Sequence, residues 1–116
     1  MSPWQVHSNF GKLTGKESYI VCRVKNEDEP VHSGNLVYAD KGYVDDLAEA
    51  EAYAAHLNEV EASLTPCKIC DGKGYIIMLS PYYCRISCMH RCMAGVSAET
   101  LDEAVKKWEA MQCERK

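Results

Sequence analysis

Apolar positions along the chain change period three times, and those changes mark out its elements. Residues 18–25 (SYIVCRVK) are β-branched and aromatic, with Ile20, Cys22 and Val24 on one face, and predict a strand. Residues 26–30 (NEDEP) have turn composition, and Leu36 to Ala39 (LVYA) predict a second short strand that Asp40-Lys41-Gly42 breaks. From Asp45 or Asp46 the period becomes helical, and Leu47, Ala50, Tyr53, Ala54, Leu57 and Val60 form one apolar stripe. Asp46-x-x-Glu49 has the form of a capping box, and the helix must end before Thr65-Pro66. The pattern then repeats. Residues 75–79 (YIIML) and 82–87 (YYCRIS) predict two strands joined at Ser80-Pro81. A last helix follows the capping box Thr100-x-x-Glu103, with Leu101, Ala104, Val105, Trp108 and Met111 as its stripe. The first 17 residues are mixed, contain Gly11 and Gly15, and read as an arm that Trp4 and Phe10 pin to the body.

Each half is therefore strand, strand, helix. The expected fold class is α+β: two ββα units, residues 1–64 and 65–116, sharing one antiparallel sheet that two helices cover. At 116 residues and 47% hydrophobic content, the chain can bury a core of that size. No apolar run approaches the roughly 18–20 residues of a membrane helix. Residues 1–16 hold no apolar core of a secretory signal, so the cytoplasm is the expected compartment.

Seven cysteines sharpen that expectation. An odd number cannot pair off completely, and a reducing compartment keeps thiols available to a metal. Cys67-x2-Cys70 and Cys88-x3-Cys92 are two close pairs separated by seventeen residues, enough for a short ribbon that brings the pairs together. Two such pairs supply the tetrahedral sulfur shell that Zn2+ prefers, and the second unit reads as a zinc ribbon. His90 lies within the second pair and is the alternative fourth ligand, with Cys84 in reserve. The glycines after Cys70 suit the positive φ of a zinc knuckle. By pattern Cys22 and Cys84 are core positions, and Cys113 ends a helix. A full cysteine shell leaves no open position for substrate, so the metal's expected role is structural.

Charge divides the halves. Residues 1–66 hold 5 basic and 11 acidic residues, a net of −6, and residues 67–116 hold 8 and 6, a net of +2. The first half is therefore suited to a basic protein surface, with Glu27, Asp28, Glu29, Asp45, Asp46 and Glu49 as candidate contacts. In the second half Lys68, Lys73, Arg85 and Arg91 surround the ribbon, interleaved with Tyr75, Tyr82 and Tyr83. That mixture is the basis of an alternative reading as a nucleic-acid-binding regulator. No G-x-S-x-G, phosphate-binding loop or H-E-x-x-H occurs. The Pro66-Cys67-x-x-Cys70 half of a deaminase signature lacks its H-x-E partner, so no enzyme is expected.

Leu64-Thr65-Pro66-Cys67-Lys68-Ile69-Cys70-Asp71-Gly72, then Arg85-Ile86-Ser87-Cys88, Cys92-Met93-Ala94, and Thr100 to Trp108 with Ala104 and Trp108 resemble the Lar-type restriction-alleviation proteins of bacteriophages and prophages. The resemblance covers roughly residues 64–112. It departs from the family pattern in the x3 spacing of the second pair, in Asp71 directly after Cys70, and in Glu109 where an asparagine commonly follows the tryptophan. It implies a small phage-encoded zinc ribbon in the host cytoplasm. Such a protein would inhibit or modulate a host defence complex, either restriction–modification or a CRISPR effector, by protein–protein contact.

Overall fold

The computed structural model describes residues 2–10, 17–88 and 95–113. It divides into two compact units, residues 1–59 and 60–116. The class is α+β, with two antiparallel three-stranded sheets and two helices.

In the first unit β1 (Gln5–Phe10), β2 (Glu17–Val24) and β3 (Leu36–Tyr38) form one sheet in that order. Helix α1 (Leu47–Ala62) follows, its last turn crossing the boundary between the units. The segment expected to be an arm is thus a strand, paired with β2 from Gln5↔Cys22 to Phe10↔Glu17. Its sequence, QVHSNF, alternates too weakly to announce itself, and pairing along its whole length supplies what propensity does not. Trp4 does pin the segment. Its side chain is 2% exposed, its N–H donates to Asn58 Oδ1 at 2.8 Å, and its carbonyl accepts from Asn58 Nδ2 at 3.0 Å. Along β2 every residue from Ile20 to Val24 is buried, so the strand is covered on both faces and not only on the Ile20–Cys22–Val24 face. The buried Arg23 guanidinium donates to the Ser2 carbonyl from Nε and Nη2, and lies 4.9 Å over the Trp4 ring. Gly42, at φ +64°, takes the left-handed turn that ends β3. Asp46 caps α1 through Ala48 N–H, and Ala50, Ala54 and Leu57 form the buried stripe.

In the second unit β4 (Gly74–Ser80), β5 (Tyr83–Cys88) and β6 (Val96–Ala98) form the other sheet, again in chain order. Helix α2 (Leu101–Cys113) closes the unit, capped by Thr100 Oγ1 on Glu103 N–H. A two-residue turn, Pro81-Tyr82, joins β4 to β5, and a bulge between Ile76 and Met78 inserts Ile77 into β4. The sheet's inner face is Ile76, Leu79, Cys84, Ile86 and Val96, all buried, and α2 contributes the buried Ala104, Trp108 and Gln112.

Among the described residues the expected single shared sheet is replaced by two separate three-stranded sheets. Each unit has a third strand that the hydrophobic pattern does not show, β1 in one and β6 in the other. These occupy the second edges of β2 and β5, so each central strand has a partner on both edges within its own unit.

Candidate metal centre

The segment entering the first cysteine pair is fixed by α2. The Trp108 indole Nε1–H donates to the Thr65 carbonyl at 2.8 Å. Glu109 accepts from Thr65 N–H at 2.9 Å with Oε1, and Thr65 Oγ1 donates to Oε2. One turn later Gln112, 2% exposed, accepts from Lys68 N–H at 2.7 Å with Oε1. Three helix residues thus hold the backbone on both sides of Cys67.

The loop then closes on itself. Cys67 N–H donates to the Gly72 carbonyl at 2.9 Å, Asp71 N–H to the Cys67 carbonyl at 2.9 Å, and Gly72 N–H to Cys70 Sγ at 3.3 Å. This is a knuckle that aims an amide dipole at a sulfur, an arrangement that moderates thiolate charge. The positive φ falls on Asp71, at 57°, and not on the glycines after it. Asp is among the few residues that tolerate this region, because its short side chain can hydrogen-bond locally.

Cys88 comes from the end of β5, where it pairs with Gly74. The sulfur atoms of Cys67, Cys70 and Cys88 all lie within 4.8 Å of one another. Cys67 and Cys88 are buried and Cys70 is half-buried. A tetrahedral shell with Zn–S of about 2.3 Å places its sulfurs about 3.8 Å apart. Three converging thiols of soft character, two of them out of water, fit a metal of that kind. Cys92 and His90, the expected fourth ligand and its alternative, lie outside the described residues, as does Arg91. The reserve ligand Cys84 is not in the cluster: it sits four residues before Cys88, about 13 Å along an extended strand, paired with Leu79 and Ala98 in the core.

Glu61 supports the ribbon from α1. Its carboxylate is 2% exposed and accepts from Ile76 N–H at 2.9 Å, at the bulge, while Lys73 Nζ lies 4.0 Å from its other oxygen. Sequence reasoning passes over Glu61 and Gln112, and marks Glu109 only as a departure beside the resemblance. The signal was present, since Glu61 falls four residues after Leu57 and Gln112 four after Trp108, both on the buried stripes.

The remaining candidates are distributed over the surface. Glu27, Asp28 and Glu29 are exposed on the loop after β2. That loop is tied down by Asn35, which is 3% exposed: its Oδ1 accepts from Asn26 N–H at 2.9 Å, and its Nδ2 donates to the carbonyls of Asn26 at 2.8 Å and Pro30 at 3.2 Å. Asp45 is exposed, Asp46 is engaged as the cap of α1, and Glu49 faces Lys41 at 4.0 Å. Lys68 is half-buried beside the knuckle, whereas Lys73 and Arg85 belong to the ribbon. Among the described residues no helix is long and apolar enough to cross a membrane.

Comparison of the chain with protein families, with curated proteins and with solved structures finds no match.

Proposed function

We propose that this chain is a non-catalytic binding protein whose second unit is held by one zinc ion, and that it acts by occupying a protein partner. The observation that carries the reading is the convergence of Cys67, Cys70 and Cys88 within 4.8 Å, with α2 clamped on the segment that delivers the first two. With Cys92 as fourth ligand the shell closes, and the ion has no open position for substrate. Its contribution is then to folding, where structural zinc supplies on the order of 10 kcal/mol in small domains.

The contact surface we assign is the acidic loop carrying Glu27, Asp28 and Glu29. Asn35 fixes that loop before any partner arrives, so little ordering entropy is lost on binding. The resemblance of residues 64–112 to phage restriction-alleviation proteins supports a host defence complex as the partner and the bacterial cytoplasm as the site of action. The carboxylates suit a basic surface of the kind that such complexes use to hold nucleic acid.

Changing Glu27, Asp28 and Glu29 together to Ala tests this. The variant should keep the wild-type melting temperature, since exposed charges contribute about 0–1 kcal/mol each. Its association with the partner captured from host lysate should slow at least several-fold at low salt and converge on wild type at high salt. Unchanged association at low salt removes the loop from the interface.

A further inference from the structure

The ribbon unit has a second face that neither the metal nor the acidic loop uses. Directly paired residues of a sheet share a face, so the pairs Tyr83↔Ser80, Arg85↔Met78, Arg85↔Ser97 and Ser87↔Tyr75 define the side opposite the core. Met78 on this face is 48% exposed and Tyr83 is 37% exposed, while Tyr82, on the turn that joins the strands, is 86% exposed. Tyr75 and Arg85 are half-buried. The Lys73 ammonium lies 5.1 Å over the Tyr75 ring, and Lys107 reaches the opposite edge of the sheet, donating to the Ser97 carbonyl at 2.9 Å.

None of the residues of β4, β5 or β6 is acidic. Among the described residues the carboxylate that meets a cation of this face is Glu61, buried beneath Lys73. Tyr83 and Arg85 are two residues apart on β5, about 6.7 Å, and Tyr75 lies across from Ser87, two residues further along that strand, where Ser87 itself is buried. Aromatic, guanidinium and aromatic groups thus follow one another over a span that suits two or three unstacked bases, with cations at both margins. Tyrosines on an open sheet stack bases of any identity, and a guanidinium serves both as a stacking plane and as a phosphate contact. A protein partner would be met as well by aliphatic side chains, whereas interleaved rings and cations match stacked bases and phosphates together.

We propose that the outer face of the β4–β5–β6 sheet binds single-stranded nucleic acid through Tyr75, Tyr83 and Arg85, with Lys73 contacting phosphate. This goes beyond the protein contact assigned to the first unit and uses different residues.

The test is fluorescence anisotropy of the full-length protein with a labelled ten-nucleotide oligo-dT, a uridine RNA of the same length, and a DNA duplex. Binding of either single strand in preference to duplex is expected, with a slope of log K against log salt of about −1.4 to −2.1, as two or three phosphate contacts give. Tyr83→Ala and Arg85→Ala should each weaken it about 5-fold or more, as loss of one stacked base does. Both side chains lie on the solvent face, so circular dichroism should report an unchanged fold. Changing Glu27, Asp28 and Glu29 to Ala should not weaken it, which keeps this result separate from that of the protein contact. Equal binding by wild type and the Tyr83→Ala, Arg85→Ala double variant overturns the proposal, as does absence of single-strand binding at low salt. Loss of a captured protein in Tyr83→Ala, without oligonucleotide binding by wild type, assigns the face to a protein instead.

Discussion

Two glycines of the ribbon unit are fixed by what stands next to them. A Cβ at Gly95 would lie 2.4 Å from the Ile86 carbonyl oxygen, and one at Gly74 would lie 3.0 Å from the edge of the Trp108 ring. Backbone within a paired strand cannot retreat, whereas a ring can shift by a few tenths of an ångström. Gly74→Ala should therefore cost about 1–3 kcal/mol, in the range of core overpacking, and Gly95→Ala should cost more. Denaturant titration of the two variants checks the order. In the first unit burial pushes the Cys22 thiol up to about 11 from its ordinary value of 9.0. Below pH 9 both folded and unfolded chains keep this thiol neutral. Between pH 9 and 11 only the unfolded chain ionises it, so the stability it contributes is lost as pH rises through that window. Cys22→Ala should flatten that part of the pH–stability curve and leave the part below pH 9 unaffected. None of these consequences can be read from the sequence, because each depends on which atom another segment places against the residue.

At the scale of elements, α2 is a strut for the loop that carries Cys67 and Cys70 as well as a lid on the core. Replacing Gln112 by Leu keeps the volume but removes the oxygen that accepts from Lys68 N–H, and Glu109→Ala removes the carboxylate that accepts from Thr65 N–H. Each variant should bind zinc on the order of 10-fold more weakly in competition with a chromophoric chelator, with helix content unchanged, as loss of outer support does at such sites. The elements with strong periodicity, β2, β4, β5 and both helices, were legible in the sequence to within a residue or two. β1 and β6 were not, because QVHSNF and VSA gain their strand character from pairing with β2 and β5. The site was legible in the same uneven way. Paired spacing singled out Cys67, Cys70 and Cys88, whose sulfurs the structure brings together, but a pattern that counts apolar residues passes over Glu61 and Gln112, polar side chains on buried stripes. Two of the three departures noted beside the resemblance have places in the structure. Asp71 takes the left-handed turn of the knuckle, and Glu109 anchors the segment leading into it.

For the molecule as a whole, each unit has its own sheet, and the three clustered thiols all belong to the second. If one zinc ion supports that unit, its loss should be felt there first, while the first unit keeps its hydrogen-bonded loop and the Trp4–Asn58 clasp. Elemental analysis of protein purified without chelator, followed by a thermal melt before and after removal of the metal, tests this most directly. One zinc per chain is expected, with the low-temperature part of the melt lost on chelation and likewise in Cys67→Ser and Cys88→Ser. A metal-free chain that is fully folded, and whose melt is the same with and without chelator, would contradict it.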